Sequence, residues 1–309
     1  MATILDNKTN TDADADANTN NESPTWRNYL EKYRLERNFI PDNFVNYKVS
    51  KLNDYMILHQ LSGVVLSVSG GVDSAVTLGL LKRALDAKNS PIKKIWAISQ
   101  PICSSAWALE RAQELCAKFS VELITIDQTE IYKSLIGQIE KETDVKTNKF
   151  SGGQLKSYMR TPVNYFATQL LSQEGTPAVV IGTGNMDEDG YLAYFCKAGD
   201  GVVDIQLISD LHKNEVYLLG KHLGIPDSIL SSAPSADLWD GQEDENELGF
   251  PYEFVEFFVG WYLKLSSTDR THFVNSLTGE SFNEFSIFRT KCESVHDRNK
   301  HKLVGVVNL

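Results

Sequence analysis

The residues best suited to chemistry in this chain are Ser69, Gly70, Gly71, Asp73 and Ser74, in the run "VVLSVSGGVDSAVTLGLLKRALD" from Val64 to Asp86. Glycines without a Cβ let the backbone turn sharply and bring successive N–H groups close to an anion. A helix N-terminus following them adds unsatisfied donors and a favourable dipole. Ser69 and Ser74 supply hydroxyls, so the loop is shaped for phosphate. Asp73 is itself an anion, and a carboxylate beside a polyphosphate makes sense if Mg²⁺ lies between them. The plainer alternative is a glycine turn in which Ser69 or Asp73 merely caps the helix. The motif is neither G-x-x-x-x-G-K-[ST] nor G-x-G-x-x-G, which demotes the common nucleotide-hydrolase and dinucleotide-fold readings.

The elements around this loop follow from periodicity. Val64 to Val68 is short, continuous and β-branched, as a strand buried on both faces should be. Val76, Leu78, Leu81 and Leu85 then recur at helical spacing. "IKKIWAIS" reads as a second strand, "AWALERAQELCAKF" as a helix, "VELITI" as a third strand and "AVVIGT" as a fourth. "QLKSYMRTPVNYFATQLLSQ" is helical in pattern, with Pro162 expected to kink it or mark its start. The order predicts an α/β, doubly wound, mostly parallel sheet with helices on both faces. Ligands in such sheets sit outside the carboxyl ends of the strands, where Ser69-Gly70-Gly71 falls. Beyond Asp237 an acidic loop, "DLWDGQEDENELGF", precedes extra C-terminal helices such as "YEFVEFFVGWYLKL" and "FNEFSIFRTKCESV".

Composition narrows the function further. The 309 residues, 42% hydrophobic, suffice for one elaborated domain over residues 25–309, while Met1 to about Pro24, rich in Asn, Asp and Thr, is expected to be a disordered tail. A net charge of -11 argues against a nucleic-acid binder. Cys103, Cys116, Cys196 and Cys292 form no C-x-x-C pair, so neither a zinc site nor a disulfide framework is expected. No apolar run reaches the ~20 residues of a membrane span and no signal-peptide core is visible, so the cytoplasm is the expected compartment.

"SGGVDS" after a buried strand resembles the pyrophosphate-binding loop of the N-type ATP pyrophosphatases. "GTGNMDEDGYLAYFCKAGDGVVDIQLISDLHKNEVYLLGKHLGIP", Gly182 to Pro226, resembles NAD synthetase within that superfamily, as does "PSADLWDGQEDENELGF". The resemblance implies adenylation of the nicotinate carboxylate of deamido-NAD by ATP, then displacement of AMP by ammonia. It assigns ATP contacts to Ser67, Val68, Ser69, Gly70, Gly71, Val72, Asp73, Ser74, Thr183, Lys213 and Ser235. Asp73 and Glu188 match its Mg²⁺ ligands, and Asp73 and Lys213 its catalytic pair. Deamido-NAD falls to Arg160, Lys197, Asp204, His301 and Lys302.

Three departures bear on that map. Where the family carries Arg-x-Arg-Met, "LKSYMRT" offers Tyr158 and Arg160, of which Arg160 is taken. Between Glu188 and Lys197 the chain is one residue longer than common bacterial forms, so Asp189 is an alternative metal ligand. The family's C-terminal His-Lys pair matches His301-Lys302, with His296 as the alternative. The resemblance further implies a homodimer, for which "NYFATQLL" and "FVEFFVGWYL" offer apolar faces, the alternative being that these faces are core. About 60 residues flank the matched region on either side, too few for a glutaminase domain, so free ammonia is the expected nitrogen donor. Competing readings are a GMP synthetase-like amide ligase, a thiolating enzyme of the same superfamily, and a catalytically silent nucleotide-binding relative.

Overall fold

Strand β1, Gly63–Ser67, occupies the centre of the sheet in the computed structural model, which describes residues 24–235, 237–239 and 241–308. The expected tail lies almost wholly outside those residues. Parallel to β1 on one side run β2, Lys94–Ser99, and then β3, Leu123–Thr125; on the other run β4, Ala178–Gly182, and β5, Ile205–Gln206. Val64 pairs with Ile95 and with Val179. The order β3-β2-β1-β4-β5 makes the gap between β1 and β4 the place where the winding reverses, so a crevice opens beyond their carboxyl ends.

Both faces of β1 are covered, as its β-branched run predicts. Val64 and Leu66 pack into a core with α2, Pro41–Leu58, α3, Val72–Asp86, and α7, Lys213–Leu223. Val65 faces the other way, against Ala167 and Leu171 of α6, Lys149–Gln173. Each such fully buried aliphatic side chain contributes about 1.5–3 kcal/mol. Helix α4, Ala106–Phe119, coincides with its predicted span, and α5, Thr129–Thr143, precedes α6.

Pro162 neither starts nor ends α6. The helix begins at Lys149, where Asn148 accepts a hydrogen bond from the Ser151 N–H at 2.8 Å, and it runs through the proline. The acidic loop contains a short helix, α9, Asp244–Leu248, after α8, Asp227–Leu230.

A second core joins the two ends of the described chain. Trp26 of α1, Trp26–Arg37, packs edge-on against Phe254, 5.4 Å between ring centres, in α10, Tyr252–Gly260. Phe257, Phe258 and Phe285 complete it, the last from α12, Gly279–Asn299, which follows α11, Ser267–Ser276. "FVEFFVGWYL" is therefore core for the most part: Phe254, Phe257 and Phe258 are fully buried, and the expectation of an exposed interface there is corrected. Burial around Trp26 uses the apolar face that would otherwise have met a partner.

Candidate functional site

The loop after β1 is built around Gly70. Its φ of +85° suits glycine, and a Cβ there would lie 2.5 Å from the Ala108 carbonyl oxygen of α4. Gly71 has extended backbone angles and is the N-cap of α3, without a side-chain cap from Ser69 or Asp73. Ser74 Oγ donates to the Gly71 carbonyl at 3.0 Å and lies 3.2 Å from Ser69 Oγ, so the two hydroxyls brace the turn. Asp73 projects from the first turn of α3 toward the segment after β4.

That segment is a π-helix, Met186–Leu192. A π-turn spans one residue more than an α-turn, and such turns recur at functional sites. Asn185 caps it, accepting from the N–H groups of Asp187 at 3.1 Å and Glu188 at 3.0 Å. The same Asn185 donates through Nδ2 to Asp73 Oδ1 at 2.9 Å, tying the two loops together.

Lys213, the first residue of α7, completes the centre. Its Nζ is 2.6 Å from Asp73 Oδ2 and 2.6 Å from Glu188 Oε1. Burial disfavours the ammonium, but the two carboxylates raise its pKa well above the ordinary lysine value. Burial also works against the Glu188 carboxylate, yet Lys213 holds it below the usual range. Asp189 lines the same pocket without meeting Lys213: its Oδ2 accepts from Gln206 Nε2 at 3.1 Å, and a Cβ on Gly184 would collide with it. Burial, then the neighbouring Glu188 and Asp200, push Asp189 up to about 8.

Two carboxylate oxygens converging on one ammonium define a position that suits a cation. Asp244 lies beside it on the same pocket wall, with Oδ1 buried and without a hydrogen-bond partner and Oδ2 accepting from Tyr252 Oη at 3.2 Å. Among the described residues no three Asp, Glu, His or Cys side chains form a ready-made metal cage. A donor set of one or two carboxylates fits Mg²⁺, which takes its remaining ligands from water and substrate phosphates.

A pocket of about 310 Å³ opens here, beyond the carboxyl ends of β1 and β4. It is lined by the loop from Ser67 to Ser74, Gly70 excepted, and by Thr183, Glu188, Lys213 and Ser235. Arg160 of α6 lines it too, and its guanidinium has no hydrogen-bond or ion-pair partner among the described residues. Burial lowers the Arg160 pKa, with Asp200 and Asp237 offsetting part of the effect. A half-buried cation without a partner, facing a cavity, favours an anion that completes it.

The remaining expected residues lie outside this pocket. Lys197 donates to the Val304 carbonyl at 2.6 Å, and Lys302 to the carbonyls of Phe195 at 2.9 Å and Ala193 at 3.2 Å. His301 Nδ1 is 3.0 Å from the Arg298 carbonyl on an exposed turn. His296 stacks on Tyr191 with ring centres 4.1 Å apart. Asp204 accepts from the Val180 N–H at 2.7 Å and from Tyr165 Oη at 3.1 Å. Tyr158, 39% exposed, donates to Gln154, and it does not line the pocket. Sequence reasoning missed Asp200 and Asp244, which line the pocket. The Gly199-Asp200-Gly201 triplet was the available signal for the first.

A model of the NAD synthase family matches residues 44–303. The chain belongs to the NAD synthase family. Among its relatives, the NH(3)-dependent NAD(+) synthetase of Saccharolobus solfataricus is 39% identical over 211 residues, covering 68% of this chain and 70% of that one. The protein of the same description from Methanococcoides burtonii is 35% identical, covering 69% and 76%. Among solved structures, the NMN synthetase from Francisella tularensis superposes with a TM-score of 0.70 at 27% identity, covering 88% of this chain and 99% of that one. The residues matched by the family model span the β1 loop, the π-helix and the start of α7.

Proposed function

We propose that this chain amidates deamido-NAD to NAD at the expense of ATP, with ammonia as nitrogen donor and AMP and pyrophosphate as products. The observation that carries the reading is the meeting of Asp73, Glu188 and Lys213 beside the glycine loop, in a pocket that the unpaired Arg160 also lines. In this reading the loop N–H groups, Ser69 and Ser74, with Thr183 and Ser235, hold ATP. Lys213 then turns from the carboxylates to the phosphate chain. Mg²⁺ held by Asp73 and Glu188 would neutralise phosphate charge as pyrophosphate leaves. The nicotinate carboxylate attacks the α-phosphorus, forming an acyl adenylate whose carbonyl carbon ammonia then attacks, releasing AMP. Arg160 takes the acidic dinucleotide, and Lys197, Asp204, His301 and Lys302 serve it where a bound substrate draws their loops inward.

Ammonia is favoured because no cysteine lines the pocket and the buried thiols are poor nucleophiles: burial pushes Cys116 up to about 11 and raises Cys292 further. The names of the curated relatives agree. The Francisella structure favours one second reading, in which the amide formed is the mononucleotide NMN.

Residues 25–309 would act as one unit, paired as a homodimer. Support for pairing lies on α5, which buries no residue, and on α6, where Phe166 is 64% exposed. No helix of the described residues is long and apolar enough to cross a membrane, and a cytoplasmic setting suits four free cysteines. Incubating the purified chain with ATP, Mg²⁺, ammonium and either deamido-NAD or its mononucleotide counterpart, and assaying NAD, NMN and AMP, tests the reading. Absence of AMP with both acids removes it.

A further inference from the structure

The helix start that carries Lys213 is held from behind by buried polar groups. The Lys213 backbone N–H donates to Asp187 Oδ2 at 2.8 Å. The other oxygen, Oδ1, is 2.7 Å from His212 Nδ1, and His212 Nε2 is 2.9 Å from Tyr33 Oη. Asp187 and His212 are 0% exposed. The Nδ1-protonated imidazole satisfies every bond: Nδ1–H donates to the carboxylate, and Nε2 accepts from the Tyr33 hydroxyl. A second line runs alongside. The His212 N–H donates to Glu215 Oε2 at 3.0 Å, Arg37 Nη2 donates to the same oxygen at 2.8 Å, and Arg37 also donates to the Asp210 carbonyl at 2.7 Å.

Two consequences follow from where these residues sit. Asp187 adjoins Glu188 in the π-helix, so one buried carboxylate sets the element carrying Glu188 against the element carrying Lys213. Tyr33 and Arg37 belong to α1, outside the residues 44–303 that the family model matches.

We propose that Asp187, His212 and Tyr33 are positioning residues that set the Lys213 ammonium for the phosphates of the nucleotide, and that α1 is thereby part of the site's construction. This rests on the reading of Lys213 as a phosphate contact. An ammonium is a point charge on a flexible stem, so its backbone anchor must be fixed for it to meet a phosphate oxygen in one place.

Calorimetric titration of the full chain with inorganic pyrophosphate in Mg²⁺, and separately with AMP, tests it. AMP lacks the phosphates that Lys213 meets. His212→Ala is expected to weaken pyrophosphate binding by about tenfold or more while AMP affinity stays within about twofold, the size typical of lost supporting hydrogen bonds. His212→Asn, whose amide can replace the Nδ1–H donor, recovers most of the loss. Tyr33→Phe, which removes only a hydroxyl, falls between wild type and His212→Ala, and it decides the matter alone if the alanine variant does not fold. Pyrophosphate and AMP affinities falling together, no change in either, or no rescue by asparagine overturns the proposal, as does a wild-type chain that does not bind pyrophosphate. The expected ratios in a chain that fails to amidate deamido-NAD would remove the functional reading and leave the positioning role standing.

Discussion

Lys213 and Asp73, 140 residues apart in the chain, meet as a largely buried ion pair 2.6 Å long on the wall of the pocket beyond β1 and β4. Glu188 shares the same ammonium, so two largely buried acids lean on one cation and the cluster is left with more negative than positive charge. Lys213→Met keeps the length of the side chain and removes its charge. Steady-state turnover should fall by about 10²-fold or more, the usual cost of losing a charge-stabilising donor in a site of this kind. Turnover within threefold of wild type would place the phosphate contact elsewhere.

Asp73→Asn exchanges the proposed Mg²⁺ ligand, a charged carboxylate, for a neutral amide. The amide can still accept from Asn185, so the fold should survive, as read by an unchanged circular dichroism spectrum. Pyrophosphate release should drop by about 10²-fold or more, because the amide cannot supply the carboxylate charge at the ion. Near-normal release from a folded variant contradicts the metal assignment.

The raised pKa of Asp189, about 8, predicts a pH dependence for the metal-free protein. Unfolded, this carboxyl ionises near 3.8; folded, it keeps its proton until about pH 8. Between those values the native state binds more protons than the unfolded one, so stability is full at acid pH and is lost as pH rises toward 8. Asp189→Asn removes that loss. The variant's Tm should exceed that of wild type by several degrees at pH 8, and the gap should narrow markedly at pH 5.5. A gap of equal size at both values sinks the argument.

The homodimer proposal makes Phe166 and Leu170 interface residues, since α6 presents them outward, 64% and 38% exposed, while Ala167 and Leu171 fill the core. Phe166→Glu with Leu170→Glu should leave the thermal transition nearly in place. Sedimentation should shift from twice the chain mass to the chain mass. A wild-type monomer at assay concentrations, or an undisturbed dimer in the double variant, removes the interface.

Much of the site-bearing half of the fold was legible in the sequence, because its signals are local. Val64 to Val68 announces a doubly buried strand, the glycines that follow force a turn, and the period of Val76, Leu78 and Leu81 announces a helix. Strand β5 was invisible, since two residues, Ile205 and Gln206, carry no period. Phe254, Phe257 and Phe258 show why apolar faces mislead: a core and an interface demand the same side chains, and only Trp26, more than two hundred residues earlier, decides between them. Asp187 and His212 look like a solvated loop acid and an ordinary helix cap. The role proposed for them depends on Tyr33, a contact that no local pattern encodes.

The most direct measurement is the initial rate of NAD formation by the purified chain from deamido-NAD, ATP and Mg²⁺, with ammonium or with glutamine freed of ammonia. The predicted result is NAD formed from ammonium with one AMP and one pyrophosphate per amide, and little or none from glutamine. Failure to form NAD from ammonium, or ADP and phosphate in place of AMP and pyrophosphate, would contradict the account at its centre.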